Sequence, residues 1–296
     1  MREFVLTVPE AFAGREIKYI LRTHFGFSSR LITSLKKGNG ITLNGKKEFV
    51  NRTVQKGDIL KITFFDKAAE SFTPENIPID ILFEEEDLLI INKPPKMPTH
   101  TSVYHTEGTV ANAVLYYFKD RPFTFRAPSR LDRDTSGVLI IAKNAWSGDC
   151  IARAIKNGHF EKEYAAVCVG TLKNKKGIVS APIKREKEGI IKRIIAPDGK
   201  AAETEYEVLE ELNGLSLVKL RPKTGRTHQI RLHLAYLGAP IYADFLYGTD
   251  VDGERIRLHC KTVRFPHPVT KEIMEITAPR PADMDLETIN QLCLAE

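Results

Sequence analysis

Long apolar runs, paired cysteines and clustered metal ligands are what this chain of 296 residues lacks. A helix that crosses a bilayer needs about 18 or more consecutive apolar residues, and no stretch approaches that length. The start, Met1-Arg2-Glu3-Phe4, leads into no apolar segment of the secretory kind, so a cytoplasmic location and no membrane partner are expected. The four cysteines, at 150, 168, 260 and 293, form none of the close pairs that bind zinc. Reduced thiols and no structural metal are expected. No repeat or low-complexity tract appears. What is present is a globular composition, 42% hydrophobic and 28% charged, with enough chain to bury a core and to divide into a small and a larger domain.

The positive charge is unevenly spread. Residues 1–67 hold 13 Lys and Arg against 6 Asp and Glu, a net of +7, whereas the rest of the chain is close to neutral within a total of +6. One basic module beside a neutral body suggests that the module holds a polyanion while the body does something else; a solvated lysine-rich surface is the plainer alternative.

Within that basic quarter, Ser28-Ser29-Arg30-Leu31-Ile32-Thr33-Ser34-Leu35-Lys36-Lys37-Gly38 opens with N-cap serines and closes at a glycine. Leu31, Ile32 and Leu35 give it an apolar side, and Arg30, Ser34 and Lys37 fall on the opposite stripe, where cations can follow a sugar-phosphate backbone. Ile41 to Lys46 alternates like a strand and ends in an Asn44-Gly45 turn, and Gly57-Asp58 precedes another strand through Phe65. This order resembles the RNA-binding domain named after ribosomal protein S-four, through Gly40-Ile41-Thr42-Leu43-Asn44-Gly45 and Gly57-Asp58-Ile59-Leu60. The expected division is an S-four-like domain at 1–66, a polar linker at 67–78 and a catalytic body at 79–296.

Beyond the linker, short Val/Ile/Leu-rich runs at 79–83, 88–91, 138–142, 163–169, 203–210, 215–220 and 272–277 alternate with turn residues. Helical patterns occupy 110–118, 146–157 and 228–237. The expected class is α+β: a mixed, mostly antiparallel sheet with flanking helices, preceded by a small α/β domain.

Two stretches depart from ordinary core or surface composition. Arg130-Leu131-Asp132-Arg133-Asp134-Thr135-Ser136-Gly137 precedes an apolar strand, and on residue types alone it reads as a polar turn whose carboxylates bond backbone amides. Lys223-Thr224-Gly225-Arg226-Thr227-His228-Gln229-Ile230-Arg231-Leu232-His233 gathers two arginines and two histidines at a helix start, where backbone amides favour anions. His228 and His233 taken singly read as satisfied packing residues, and a spacing of five argues against a metal pair on one helical face.

These stretches, with Phe160-Glu161-Lys162-Glu163-Tyr164-Ala165-Ala166-Val167 between them, resemble the three motifs of the RluA/RluD-type pseudouridine synthases: H-R-L-D-x-x-T-S-G, K-x-Y-x-A-x-V and T-G-R-x-H-Q-[IL]-R-x-H. Asn92-Lys93-Pro94-Pro95, the run Gly238 to Asp244 with Tyr247-Gly248, and Leu258-His259-Cys260 with Phe265-Pro266 extend the likeness over about residues 79–280. Ser129 stands where the family usually has His.

The resemblance implies an isomerase that converts uridine in structured RNA to pseudouridine without a cofactor. It makes Asp132 the carboxylate that attacks the sugar or removes a proton from it, Arg226 the cation beside it, and Tyr164 the ring that stacks on the target base. Arg130 is expected to reach into the position vacated by the base, with Arg30, Lys37, Lys93, His228 and Arg231 as further RNA contacts. Large-subunit ribosomal RNA is the expected substrate, transfer RNA the alternative, and a monomer the expected state. An RNA-binding or assembly factor without chemistry would not need the Asp-Arg-Tyr set, and a glycoside hydrolase would need a second working carboxylate and no basic module.

Overall fold

Two short sheets and one large one carry the chain, and a computed structural model describes them over residues 2–65, 73–102 and 106–294. The first unit contains β1 (Arg2–Thr7), α1 (Ile17–Thr23), α2 (Ser29–Lys37), β2 (Ile41–Leu43), β3 (Lys46–Lys47) and β4 (Ile59–Phe64), with its strands in the order β1-β4-β2-β3. In α2, the Ser28 hydroxyl accepts from the Leu31 amide at 3.1 Å, Leu31, Ile32 and Leu35 are buried, and Arg30, Ser34 and Lys37 are exposed. That division follows from the helical period alone. Asn44 and Gly45, at φ 53° and 79°, make the left-handed turn that a two-residue hairpin demands. β1, α1 and the two-residue β3 are not marked by the sequence pattern; β1 pairs with β4 along its whole length.

The body contributes β5 (Asp80–Glu84), β6 (Leu88–Lys93), α3 (Val110–Tyr117), β7 (Ser136–Ala142), α4 (Ala145–Lys156), β8 (Glu161–Val169), β9 (Lys176–Ser180), β10 (Ile183–Arg185), β11 (Arg193–Ile195), β12 (Glu203–Leu212), β13 (Leu215–Pro222), α5 (Gln229–Tyr236), β14 (Leu258–Pro266), β15 (Ile273–Thr277) and α6 (Leu286–Leu294). Its large sheet runs β5-β6-β7-β14-β8-β13-β12-β9, with β15 on β14, and β10–β11 form a separate hairpin. Among the described residues only β7 and β14 pair in parallel, so the class is α+β with a mostly antiparallel sheet, as the patterning predicts. No helix among them is long and apolar enough to cross a membrane.

Gly137 shows why the first motif ends in glycine. It sits at φ +111° where β7 meets β14, and a Cβ there would lie 2.1 Å from the Cys260 carbonyl oxygen. Only glycine lets the two strands approach, and their approach brings the end of the first motif against the strand that flanks the second.

The two units are packed together. Trp146 of α4 is buried in the core of the N-terminal unit, edge-on to Phe4 at 4.7 Å between ring centroids. Arg2 lies over the same indole and pairs at 3.3 Å with Asp87, which is buried and accepts from Asn144 at 2.7 Å. Ser28 donates to Asp149 of α4 at 2.6 Å. Residues 67–72 of the expected linker lie outside the described residues.

Truncating Trp146 to Ala removes a large buried ring from that joint and should cost on the order of 3–5 kcal/mol. Hydrogen exchange is expected to show β1 and β4 losing protection while β6, β7 and β8 keep theirs. Equal loss in both units would mean that they unfold as one.

Candidate active site

The loop that leads into β7 has its backbone fixed before its side chains do anything. Four successive carbonyls each accept a hydrogen bond: Arg130 from Lys162 Nζ (3.1 Å), Leu131 from Thr99 Oγ1 (3.0 Å), Asp132 from the Thr135 amide (3.2 Å) and Arg133 from Lys93 Nζ (2.9 Å). With every acceptor satisfied, the loop has little freedom left. It presents Asp132, half-buried, to a cleft of about 1040 Å³ that Arg130, Tyr164, Arg226, His228 and Arg231 also line. The three motifs therefore converge on one cavity.

The third motif is built around Gln229. Its Oε1 accepts from the Thr224 hydroxyl (2.8 Å) and the Arg226 amide (3.0 Å), and its Nε2 donates to the Glu203 carbonyl and Thr204 Oγ1, both at 2.9 Å. His233 is likewise spent on structure, bonded to Thr204 Oγ1 (2.9 Å) and the Ala181 carbonyl (3.0 Å). His228 differs, because it enters α5 in the left-handed region at φ 57° and ψ 20°. Such strain in a non-glycine residue costs roughly 1–3 kcal/mol and persists only where the surroundings hold it. Here Tyr247 does so, its hydroxyl 2.9 Å from His228 Nδ1 and accepting from the Arg193 amide at 2.8 Å.

Arg231 follows one turn into the helix, only 3% exposed. Asp244, with no exposed surface, grips it through Nε (2.8 Å) and Nη2 (2.6 Å). Burial works against the guanidinium charge, yet Asp244 first and Asp132 after it hold its pKa above the ordinary value. Asp132 likewise favours the charged forms of Lys162, Lys93 and His228, each of which burial opposes. The one of these groups held firmly charged is Arg231, because burial pushes Lys162 and His228 toward their neutral forms and draws Lys93 down to about 7.

Tyr164 is buried opposite Cys260 in the β8–β14 register. Burial, then the Cys260 thiol and Asp132, push its phenol well above the usual tyrosine range. The Cys260 thiol, itself pushed up to about 11 by burial, stays protonated.

Two of the expected site residues lie differently from the rest. Arg226 is exposed at the cleft, and its Nε is committed to the Ala201 carbonyl at 3.0 Å; the buried cation coupled to Asp132 is Arg231. Lys93 is fully buried with its ammonium on three carbonyls, so it cannot contact RNA. Arg130 does stand exposed on the cleft rim, and His228 lines the interior. Arg30 and Lys37 lie on the outer face of α2 and are not part of the cleft. Lys162, Asp244, Tyr247 and Cys260 had no role in the sequence reading. For Asp244 a signal existed, since an arginine inside a packed helix needs a buried counter-charge.

A half-buried carboxylate, a buried guanidinium and a protonated phenol share one cleft large enough for a nucleotide, a set suited to an enzyme that works through a single acid. Residues 87–236 match the model of the RNA pseudouridylate synthase family. A Bacillus subtilis protein described as the uncharacterized RNA pseudouridine synthase YjbO is 39% identical over 264 residues, 88% of this chain and 93% of its own. Ribosomal large subunit pseudouridine synthase D of Pasteurella multocida is 34% identical over 273 residues, 86% and 84% of the two chains. Among solved structures, human RNA Pseudouridylate Synthase Domain Containing 1 aligns with a TM-score of 0.59 and 28% identity, over 75% of this chain and 95% of that one. The chain belongs to the RNA pseudouridylate synthase family and is an isomerase of uridine in RNA.

The two arginines of the third motif separate experimentally. Arg231→Ala should lower the single-turnover rate by on the order of 100-fold or more, and Arg226→Ala by less than about tenfold. The reverse order would return the supporting role to Arg226. Asp244→Asn, which strands a buried guanidinium, should cost about 3–5 kcal/mol of stability by denaturant unfolding.

Proposed function

We propose that this protein converts uridine to pseudouridine in large-subunit ribosomal RNA, with Asp132 as the working carboxylate. The observation that carries the reading is the meeting of all three motifs around Asp132, in a cleft whose buried cation Arg231 is locked in place by Asp244. The ribosomal substrate is favoured by relatives named ribosomal large subunit pseudouridine synthase D, 32–34% identical over most of this chain, and by the basic N-terminal unit. Transfer RNA is the alternative.

The reaction breaks the bond from sugar C1′ to base N1, turns the base, and joins C1′ to C5. N1 gains a proton and C5 loses one, so atoms and charge balance with no oxidant or reductant. Asp132 either attacks C1′ or takes a proton from C2′; Arg231 and Lys162 offset its negative charge before the step and stabilise charge during it. Tyr164 packs its ring on the base. With its phenol raised far above neutral pH, the hydroxyl is held protonated and is suited to donating a hydrogen bond to the detached uracil.

Arg130, exposed on the rim, is placed to enter the gap that an extruded uridine leaves in its stack. Residues 1–66 act as the RNA-holding domain, their cationic α2 face carried on the catalytic body by the Trp146 joint. A monomer suffices for this chemistry, because Arg130, Asp132, Tyr164, Arg226 and Arg231 line one cleft of a single chain.

Asp132→Asn removes the reactive anion at nearly constant shape. It should abolish pseudouridine formation on a large-subunit ribosomal RNA transcript while RNA affinity and melting temperature stay near wild type. Substantial turnover by the folded variant would rule Asp132 out, and modification of transfer RNA alone would overturn the ribosomal assignment.

Substituting Arg30 and Lys37 together by Ala should flatten the log-log dependence of RNA affinity on salt by roughly 1.5, since about two phosphate contacts are lost. The rate at saturating RNA should not change. An unaltered salt slope would detach α2 from RNA binding.

A further inference from the structure

The cleft is larger than one extruded nucleotide needs. Its volume of about 1040 Å³ lies just above the roughly 300–1,000 Å³ of pockets that enclose a drug-sized ligand, and its lining runs past Tyr164 to the end of α4, through Ile155, Lys156, Gly158 and Phe160. Phe160 stands just before β8, and Phe160, Lys162 and Tyr164 alternate along the chain, so their side chains share one face. Lys162 Nζ lies 6.0 Å from the centroid of each ring, which places a basic side chain between two aromatic ones. Phe160 is only half-buried: it packs on Phe265, 6.0 Å between centroids, and its remaining surface lines the cleft. Two residues before it, a Cβ at Gly158 would meet nothing within 4 Å, so there is open space at this end. Lys156 is exposed in the last turn of α4, while the carboxylates of Glu161 and Glu275 are both met by Arg264, at 3.9 and 3.0 Å.

We propose that Phe160 is a second stacking platform, which holds the base of a nucleotide next to the target uridine while Lys156 meets its phosphate. The inference rests on the reading of this cleft as the uridine site, with Tyr164 under the target base. Aromatic side chains interleaved with basic ones are the usual platform for unpaired nucleic acid, and stacking tolerates any base because every base has a π-face. Four residues along a strand span about 13 Å, far more than the rise of about 3.4 Å between stacked neighbours in a helix. Two bases seated on Tyr164 and Phe160 are therefore unstacked from each other, with the sugar-phosphate link stretched past Lys162. The enzyme takes an opened segment of at least two nucleotides, and holding the neighbour keeps the target from falling back into its stack.

The experiment maps the pseudouridine formed on a large-subunit ribosomal RNA transcript, then compares wild type, Phe160→Leu and Phe160→Trp in single-turnover kinetics on that transcript. Leucine keeps an apolar side chain against Phe265 and loses the π-face; tryptophan keeps the face. Phe160→Leu should raise the RNA concentration for half-saturation by roughly 5- to 100-fold, with the saturated rate within about threefold of wild type. Phe160→Trp should stay within about threefold of wild type in both. Stacking releases no counterions, so Phe160→Leu should leave the log-log salt slope of binding unchanged, whereas Lys156→Ala should flatten it by roughly 0.7. Transcripts that lack the base on one side or the other of the mapped uridine identify the neighbour. One of them should bind wild type as weakly as the intact transcript binds Phe160→Leu, and combining the two losses should add nothing further.

A Phe160→Leu protein that binds as wild type does, or losses that simply add on both sides of the uridine, would overturn the platform. So would a fall in the saturated rate with affinity intact, since that places Phe160 on the target base. If Phe160→Leu does not fold, Phe160→Met, whose side chain adapts more readily to its packing, takes its place. Wild-type protein that forms no pseudouridine on any RNA would refute the functional reading, and a short oligouridylate carrying one 2-aminopurine would then judge the platform alone. Its emission should be quenched more by wild type than by the Phe160 variant, and equal quenching would sink the proposal.

Discussion

Arg231 carries a permanent charge at a site almost closed to water, and among the described residues two carboxylates favour that charge: Asp244, bonded to it twice, and Asp132, which lines the same cleft. A buried guanidinium with one partner is already costly, and the remedy is rigid geometry. Asp244 supplies it, because Oδ1 also accepts the Leu246 and Tyr247 amides, at 3.0 and 3.2 Å, which orients the acid through bonds other than those to the arginine. With one edge of the guanidinium held, its field falls on Asp132 in a constant direction. Preorganised charge of this kind stabilises a reacting group without any reorganisation during the reaction.

The same economy of motion extends outward. Tyr247 bonds the strained His228 and the backbone of β11, so the hairpin outside the large sheet is connected to the start of α5 through one hydroxyl. On the other side, the N-terminal unit rests on α4 through Trp146 and the Arg2–Asp87 pair. The cationic face of α2 is therefore fixed relative to the catalytic sheet by packing.

How much of this was legible in the residues follows from how each signal arises. Helices and apolar strands announce themselves through period, so α2, α3, α4, α5, β6, β7, β8, β12 and β13 were read close to their observed ranges. β14 was not read as a strand, although it pairs with β7, β8 and β15. Its residues, Leu258-His259-Cys260-Lys261-Thr262-Val263-Arg264-Phe265, mix polar and apolar types with no clean alternation. The reason lies in tertiary contacts: His259 is buried because Ser136 Oγ meets its Nδ1 at 2.9 Å, and the β8 register slips between Cys260 and Thr262. Neither fact leaves a trace in local pattern.

The third motif shows the limit at the level of chemistry. It offers two arginines five residues apart, and residue type cannot rank them. Position relative to the helix does: Arg226 precedes α5 in an open turn that Gln229 ties down, while Arg231 lies within the helix on its buried side. His228 causes the separation, since its left-handed backbone turns the chain between them. A cation in the turn can meet RNA and solvent, but a cation in the helix must be neutralised by the fold. Asp244, 13 residues further on, satisfies that need, and the arginine it grips is the one whose charge Asp132 also favours.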